Sequence, residues 1–440
     1  MRRPRVPAKR GAVLSRLAWL GLLVLHGCLA AGPPLPVPAE NVVQDVPFDA
    51  VAAWDEFETA LRSNYAYLDA AGTDAVERQL ARSREAALAA ADAEASRRLM
   101  HRTALTFGDP HLIVGPFDDD DFNIVMTAAD LDIVMRDGLY VVADVRAGSA
   151  ADAAEIRPGW ELVRIERLSA AEAARLPFGD IVDDPTQEQL AYGATLAANG
   201  RRGAMLRRLT FRLPSGETAT RDLPSPRTPA RGDQPVLTTS RLGPGGRIGM
   251  IRFENALGDN TTIGAFDAAI ASLADTESIV LDLRNTPSGG NTEVARSVIG
   301  HFVDDWRPYQ VHTIPRIERE YGVPRRFVEY AAPREPRYRG TLVVLHGRWT
   351  GSMGEGLVIG LDAAANAVTI GSNMGDLLGA LWNVDLPLSG ARLDVGGEAL
   401  FHPNGTPRED YVADRPLPSA DRDERGRDPA LAAALRLLSP

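Results

Sequence analysis

The stretch Thr350-Gly351-Ser352-Met353-Gly354-Glu355-Gly356 places one hydroxyl where it could act as a nucleophile. The apolar run Thr341 to Leu345 leads in and predicts a short buried strand; the run Glu355 to Ala365 leads out and predicts a helix. A serine pinned between a strand end and a helix start has an exposed hydroxyl. The first helical turn beside it supplies unpaired backbone N–H groups and partial positive charge. Attack by that hydroxyl on a carbonyl creates an oxyanion, which such groups can hold. The same serine also reads as an ordinary helix N-cap. Thr350, moreover, stands where a G-x-S-x-G elbow has its first glycine. A second strand-then-glycine signal, Ile279-Val-Leu-Asp-Leu-Arg-Asn-Thr-Pro-Ser-Gly-Gly290, precedes it, and the ordered pair says more than either part.

A hydroxyl of this kind needs a base, and composition removes one class of base. Lys9 is the only lysine of the 440 residues, and it falls in an N-terminal segment that reads as an export signal. Residues 1–16 carry six basic residues and no acid, and Leu17 to Leu25 is apolar but too short to span a bilayer. Leu25-His26-Gly27-Cys28 is similar to a bacterial lipobox with Cys28 as the lipidated residue; cleavage after Ala30 is the alternative. A retained anchor is the third reading. Residues 1–30 read as a signal peptide and residues 31–47, rich in proline, as a tether. The exported chain would lie in the periplasm or cell envelope, lipid-anchored or soluble. It would contain no lysine, and arginine stays protonated and cannot serve as a base. Cys28 is the only cysteine, which excludes an internal disulfide, a cysteine nucleophile and a thiolate metal site. Losing six positive charges takes the net charge from −11 to −17, which excludes nucleic acid as a natural partner.

The elements that must position the chemistry fall into three regions, an α+β multidomain plan. Residues 48–115 begin with helical periodicity (Trp54, Phe57, Leu61, Tyr65), continue through runs near 74–91 and 95–106, and break at Phe107-Gly108-Asp109-Pro110-His111. Residues 124–224 read as a small β domain: strand Gly138–Val145, short helix Ser149–Ile156, strand Arg157–Ile165, inserted helix Thr186–Ala198, and a hairpin around Ser215-Gly216. That order resembles a PDZ domain, which holds a peptide C-terminus by strand addition and a backbone nest; Gly138, Leu139, Tyr140 and Val141 would be the nest. Residues 225–244 read as a linker. Residues 245–440 alternate strands and helices, which argues for an α/β core with a mostly parallel sheet. Two charged stretches carry rival readings. Asp118–Asp121 reads as a solvated loop rather than a cation site. The arginine-rich stretch Trp306–Arg339 reads as an exposed loop, or as a cover over the site that binds carboxylates.

Asp282-Leu-Arg284, Gly289-Gly290, Gly351-Ser-Met-Gly-Glu355, the tail Gly405-Thr-Pro-Arg-Glu409-Asp-Tyr-Val-Ala-Asp414 with the run from Gly426 to Leu435, and Phe107-Gly-Asp-Pro-His111 together resemble the tail-specific (carboxy-terminal-processing) and tricorn-type serine peptidases. The resemblance runs over most of residues 50–438 and implies a crotonase- or ClpP-like layering of the core. It implies Ser352 as nucleophile, with an oxyanion hole from the Met353 N–H and one from Gly289 or Gly290. The tail-specific branch uses a lysine that this chain lacks. The tricorn-type branch uses a histidine and a glutamate, which fall on His111 and Glu409. Pro110 replaces a serine of that pattern, with Asp109 as a substitute for orienting the ring, and His346 is a rival base. Asp282 and Arg284 would brace the strand end.

The implied activity is cleavage of polypeptides by a Ser-His(-Glu) mechanism with no cofactor and no metal. Four residues rather than three separate Arg284 from Gly289, and the region after Gly371 reads Asn373-Met374-Gly375-Asp376. With Pro110, these departures support an alternative: a catalytically inactive envelope protein that binds peptides as a scaffold. A lipid or ester hydrolase is a third, weaker reading.

Overall fold

Residues 47–68, 72–122, 129–226, 235–254, 257–287 and 289–439 are described by the computed structural model. The compact unit runs from Phe48 to Pro440. The expected signal, Cys28 included, and the expected tether up to residue 46 lie outside the described residues.

Three helices open it: α1 (Ala50–Asn64), α2 (Thr73–Ala87) and α3 (Ala93–Leu105). Asp49 caps α1 by accepting from the Val51 and Ala52 N–H groups. Trp54, Phe57 and Leu61 recur on one face and are fully buried. The short strand β1 (Ile113–Gly115) follows the His111 turn.

The second region is an antiparallel sheet with helices. Its elements are β2 (Leu131–Arg136), β3 (Leu139–Val145), α4 (Ala150–Ala153), β4 (Glu161–Ile165), β5 (Leu168–Ser169), α5 (Ala170–Arg175), α6 (Gln187–Asn199), β6 (Leu206–Arg212) and β7 (Thr218–Pro224). The strand order is β2-β3-β4-β6-β7, so β2 is an edge and β3 is interior. This corrects the placing of a carboxylate nest at Gly138–Val141. Asp137 and Gly138, both at positive φ, form the tight turn of the β2–β3 hairpin. Leu139, Tyr140 and Val141 pair with Arg136, Met135 and Val134 across that hairpin, and Val141 also faces Glu161 of β4. Gly138 is thus spent on the turn, Leu139 and Tyr140 are laddered to β2, and Val141 is laddered on both sides, so the four do not form an open nest.

The third region supplies β8 (Leu237–Leu242), β9 (Ile248–Phe253), α7 (Thr261–Ser272), β10 (Ser278–Asp282), α8 (Thr292–Gly300), β11 (Arg307–Thr313), α9 (Pro315–Tyr321), β12 (Arg326–Ala331), β13 (Thr341–His346), α10 (Met353–Ala365), β14 (Val368–Gly371), β15 (Ala380–Leu386), β16 (Ala391–Phe401), β17 (Arg415–Pro416) and α11 (Pro429–Leu438). One sheet has the order β17-β14-β13-β10-β9-β8. Its neighbours from β9 to β17 pair in parallel and only β8 is antiparallel. Alternation builds the layers. Ile279 and Leu281 of β10, with Leu342 and Val344 of β13, face the cluster of α7, α8 and α10. Val280, Val343 and Leu345 face Ala430 and Ala434 of α11. A second sheet, β1-β16-β11-β12 with β15 on β16, brings β1 against a strand nearly 280 residues later in the chain, pairing Ile113 with Asp394.

Two sequence expectations change. The supposed linker 225–244 contains β8, because Leu237–Leu242 pairs along all of β9. The arginine-rich stretch is not a loop but β11, α9 and β12. Several of its arginines make internal ties: Arg316 and Arg319 donate to Asn64 and to the Ser63 and Tyr65 carbonyls, and Arg334 pairs with Asp267. Asp118 pairs with Arg97, and among the described residues no cluster of metal-ligating side chains exists. Arg284 bonds Asp282 at 2.8 Å and Asp428, the N-cap of α11, at 2.8 Å, so this pair braces the end of β10.

Candidate active site

From Trp349 to Leu361 every residue is buried except Ser352. The sequence achieves this locally. Trp349 is fully buried and its indole N–H donates to the Ala129 carbonyl at 2.9 Å. The Thr350 hydroxyl, also buried, donates to the Leu283 carbonyl and accepts from the Gly347 N–H. The chain then turns into α10 through Ser352 at φ 52°, ψ −115°. A non-glycine residue rarely adopts that conformation, and such strain concentrates at functional turns. The turn is therefore strained like an elbow although Thr350 replaces the glycine. The Ser352 side chain makes no capping bond; instead its backbone N–H donates to Glu355 Oε2 at 2.7 Å. The hydroxyl is left for other work.

The glycine loop is stitched to this turn. Thr286 N–H donates to the Trp349 carbonyl at 3.1 Å, and Gly351 N–H donates to the Thr286 carbonyl at 3.0 Å. Gly289 has φ +58°, and a Cβ there would lie 2.4 Å from Ser352 Cβ and 2.8 Å from the Met353 nitrogen. Only glycine fits between the loop and the serine. A Cβ on Gly290 would fall 2.0 Å from the Leu257 carbonyl group, so this glycine is required by packing. The Met353 N–H, at the first position of α10, points from the same helix start.

Glu355 is buried and its carboxyl is pushed up to about 7, chiefly by burial and in spite of Arg408. It accepts from the Ser352 and Asp376 N–H groups at 2.7 and 2.9 Å, with the Arg408 guanidinium at 3.4 Å. Arg408 also donates to the Ser352 carbonyl at 3.2 Å and to the Leu377 carbonyl. The sequence displayed Arg408 beside Glu409 without revealing this role; a buried arginine separated from its carboxylate by three strands leaves no local signal.

The His111 turn is built the same way. Asp109, fully enclosed and pushed up to about 7 by burial, accepts from the His111 N–H at 2.8 Å, the Leu378 N–H at 3.2 Å and the Tyr65 hydroxyl at 2.9 Å. The imidazole is buried, and burial lowers its pKa to about 4. Its Nδ1 lies 3.0 Å from the Leu378 carbonyl. A carbonyl can only accept, so Nδ1 carries the proton and Nε2 holds the lone pair. This is the tautomer a general base needs.

The structure thus brings Ser352 and His111 to one short segment, Gly375–Gly379. Asp376 and Leu377 answer to the serine side; Leu378 answers to the histidine side. Ser352 Oγ and His111 Nε2 are not hydrogen-bonded to each other. The orienting bond on the ring comes from the Leu378 carbonyl and not from Glu409, a correction to the expected geometry, and Asp109 holds the backbone rather than the ring. Glu409 is half-buried, with its carboxyl raised by burial, and acts electrostatically on Tyr65 and Tyr67 rather than bonding the imidazole. His346 is fully buried against Gly371 and Tyr411, and both its ring nitrogens lack a partner. Sequence reading passed over His312, whose Nδ1 meets Glu398 at 2.6 Å and whose Nε2 meets the Gln310 amide at 2.9 Å. Gln310 in turn packs against Gly356 of α10, one turn beyond Ser352.

A strained, half-buried serine at a helix start, faced by a glycine loop and sharing one segment with a neutral imidazole, defines the class: a serine peptidase fold with a serine-type site. Residues 247–413 match the profile of a family described as peptidase family S41, a stretch that includes Ser352, Gly289 and Glu409 but not His111. The chain carries a serine-type peptidase domain of that family. No curated protein matches the sequence. Among solved structures it is similar to the photosystem II D1 C-terminal processing protease, at 16% identity and TM-score 0.53 over 86% of this chain and 95% of that one. It is also similar to mature CPAF complexed with lactacystin, at 15% identity and TM-score 0.57 over 86% and 94%. These likenesses show the fold. The tricorn protease aligns at 14% identity over 89% of this chain and 36% of that one, but its TM-score of 0.45 carries no argument.

Proposed function

We propose that this chain is an exported serine peptidase that cleaves polypeptides through Ser352 and His111. The observation that carries the reading is the meeting of the two turns on Gly375–Gly379, with the His111 lone pair on Nε2. Substrate entry brings the two turns into hydrogen-bond reach, as catalytic contacts often tighten only in the complex. Nε2 accepts the Ser352 proton as Oγ attacks the peptide carbonyl. The Met353 N–H and one from Gly289 or Gly290 hold the oxyanion. Nε2 then gives the proton to the leaving amine, and water completes the cycle by the reverse path. The Leu378 carbonyl fixes the ring, and Glu409 contributes negative charge at a distance.

Export and attachment through Cys28 rest on the sequence alone. Conversion of Cys28 to serine should release a membrane-bound protein into the soluble envelope fraction. The region of β2 to β7 is read as a PDZ-like lobe on its strand order, and the parallel sheet with its flanking helices as a ClpP-like layer.

A second reading, a peptide-binding scaffold without catalysis, is favoured by the unmade bond between Ser352 and His111. A fluorophosphonate probe separates the two. Labelling at Ser352 that is lost in Ser352→Ala supports the peptidase; intact wild-type protein that never labels supports the scaffold.

A further inference from the structure

A sheet that takes a peptide by strand addition must offer an edge with unpaired N–H and C=O groups. The lobe's sheet has two edges, β2 and β7, and β2, which has β3 on one side only, is the one against which α6 packs. The tight turn at Asp137-Gly138 fixes the phase of the hairpin. Arg136 and Val134 direct their backbone groups toward β3, while Ile133 and Leu131 direct theirs outward.

Those outward groups are already taken. The Thr195 hydroxyl accepts from the Ile133 N–H at 2.9 Å and donates to the Ile133 carbonyl at 3.1 Å. Asn199 repeats the arrangement one strand pleat away. Its Oδ1 accepts from the Asp130 and Leu131 N–H groups at 2.8 and 3.3 Å, and its Nδ2 donates to the Leu131 carbonyl at 2.8 Å. Thr195 and Asn199 are four residues apart on α6, so they share one face of the helix and rise together along the strand. Both are buried. Each offers one donor and one acceptor, as a docked backbone would.

The start of β2 is equally closed to a carboxylate. Arg207, the buried guanidinium there, is held by both oxygens of Asp130 at 2.5 and 2.6 Å, and its other amino group donates to the Ala198 carbonyl at 2.7 Å. On the core side, Arg348 bonds Asp132 of β2 at 3.1 Å and also Asp376, so β2 is tied to the segment that backs Ser352.

We infer that α6 is the built-in occupant of the β2 edge, so that this edge is closed to strand addition and the peptidase engages polypeptides without reading a free C-terminal carboxylate there. Only the last clause rests on the proposed peptidase activity. Thr195 and Asn199 do for β2 what a peptide backbone would otherwise do. Opening the edge would require α6 to leave, exposing the apolar face that carries Ala194 and Ala198. The lobe then serves as a fixed wall coupled to the core through Arg348.

The test uses the full chain. Amide hydrogen exchange is followed at Leu131 and Ile133 in the wild type and in Thr195→Val, which keeps the shape and removes the hydroxyl. Cleavage is followed on one labelled unstructured polypeptide prepared as the free acid and as the C-terminal amide. Both amides should be protected in the wild type. Ile133 should exchange roughly tenfold faster in the variant. Free acid and amide should be cleaved at equal rates. Exchange of Leu131 and Ile133 at the rate of an open edge in the wild type overturns the occupancy of β2. A tenfold or greater preference for the free acid overturns the substrate clause. Should neither polypeptide be cleaved and Ser352 resist labelling, the peptidase reading fails, and the wild-type exchange still decides the edge.

Discussion

The Ser352 turn and the His111 turn use the same device with different partners. In each, a buried carboxylate accepts the backbone N–H of the turn's own residue and one further N–H from the segment between them: Ser352 and Asp376 for Glu355, His111 and Leu378 for Asp109. Both carboxyls are raised to about 7 by burial. The difference lies in the further partner of each carboxyl. Glu355 has the Arg408 guanidinium at 3.4 Å, whereas Asp109 has the neutral Tyr65 hydroxyl at 2.9 Å. Buried charges are stable only when compensated. The serine side therefore depends on an ion pair drawn from the C-terminal tail, and the histidine side on neutral hydrogen bonds to the first helical segment. The comparison teaches that one short segment sets the relative position of the two reactive groups, while its two ends are held by forces of different strength.

The comparison breaks first if the two turns do not form one catalytic unit. Ser352→Ala and His111→Ala should each lower polypeptide hydrolysis by on the order of 10⁴-fold or more, and the double variant should lose little beyond either single one, because residues acting as a unit are not additive. Steady-state rates with near-ultraviolet circular dichroism as the folding control decide it. Additive losses would mean the two residues act separately.

The two anchors should then differ in cost. Arg408→Met leaves Glu355 buried without its counter-ion and should cost about 3–5 kcal/mol in chemical denaturation. Adding Glu355→Gln should recover a large part of that loss. Tyr65→Phe removes one hydrogen bond from Asp109 and should cost about 1–2 kcal/mol. Equal costs would remove the asymmetry between the two sides.

The pH dependence sharpens the same contrast. His111 has a pKa lowered from 6.5 to about 4, so its base form persists through mild acid. The acid limb of kcat/KM should fall near pH 4 rather than pH 6.5. The folded state disfavours the imidazolium, so the His111 contribution to stability is complete above 6.5 and is lost as pH drops toward 4. Asp109 runs the other way. Its carboxyl is raised from 3.8 to about 7, so ionisation is disfavoured in the folded state and stability declines as pH rises from about 4 to about 7. In Asp109→Asn, Oδ1 still accepts from His111 and Leu378 while the amide donates to the Tyr65 oxygen. This variant should show a smaller stability decline over that interval than the wild type in thermal melts. An unchanged slope would mean Asp109 is not the titrating group.

Much of the site was legible because its parts are local. The spacing of Ser352 and Glu355 fits a helix start, and the short strand before it and the helix after it follow from the spacing of apolar residues. Asp109 two residues before His111 forms an Asx-type turn that short polar side chains favour. The glycine loop was recognisable because close approach to Ser352 leaves room for no side chain. Arg408 and the Leu378 carbonyl were not legible as partners. Each acts on a residue far away in the chain, and a carbonyl has no side-chain signature. The strand β8 was hidden in a proline-rich surrounding, since its exposed Thr238-Thr239-Ser240 carries no apolar alternation.

The misplaced nest at Gly138–Val141 separates what each level decides. The sequence by itself determined that Gly138–Val145 is a strand, because a short apolar run rich in β-branched and aromatic residues is what a strand buries. It determined too that no lysine beyond Lys9 could serve as base, because residue type settles that directly. Only the tertiary structure decided that β3 is interior, that β2 is an edge, and that Thr195 and Asn199 fill it. Every residue but proline carries the same N–H and C=O, so the order of side chains does not disclose whose backbone, or whose hydroxyl, will satisfy them.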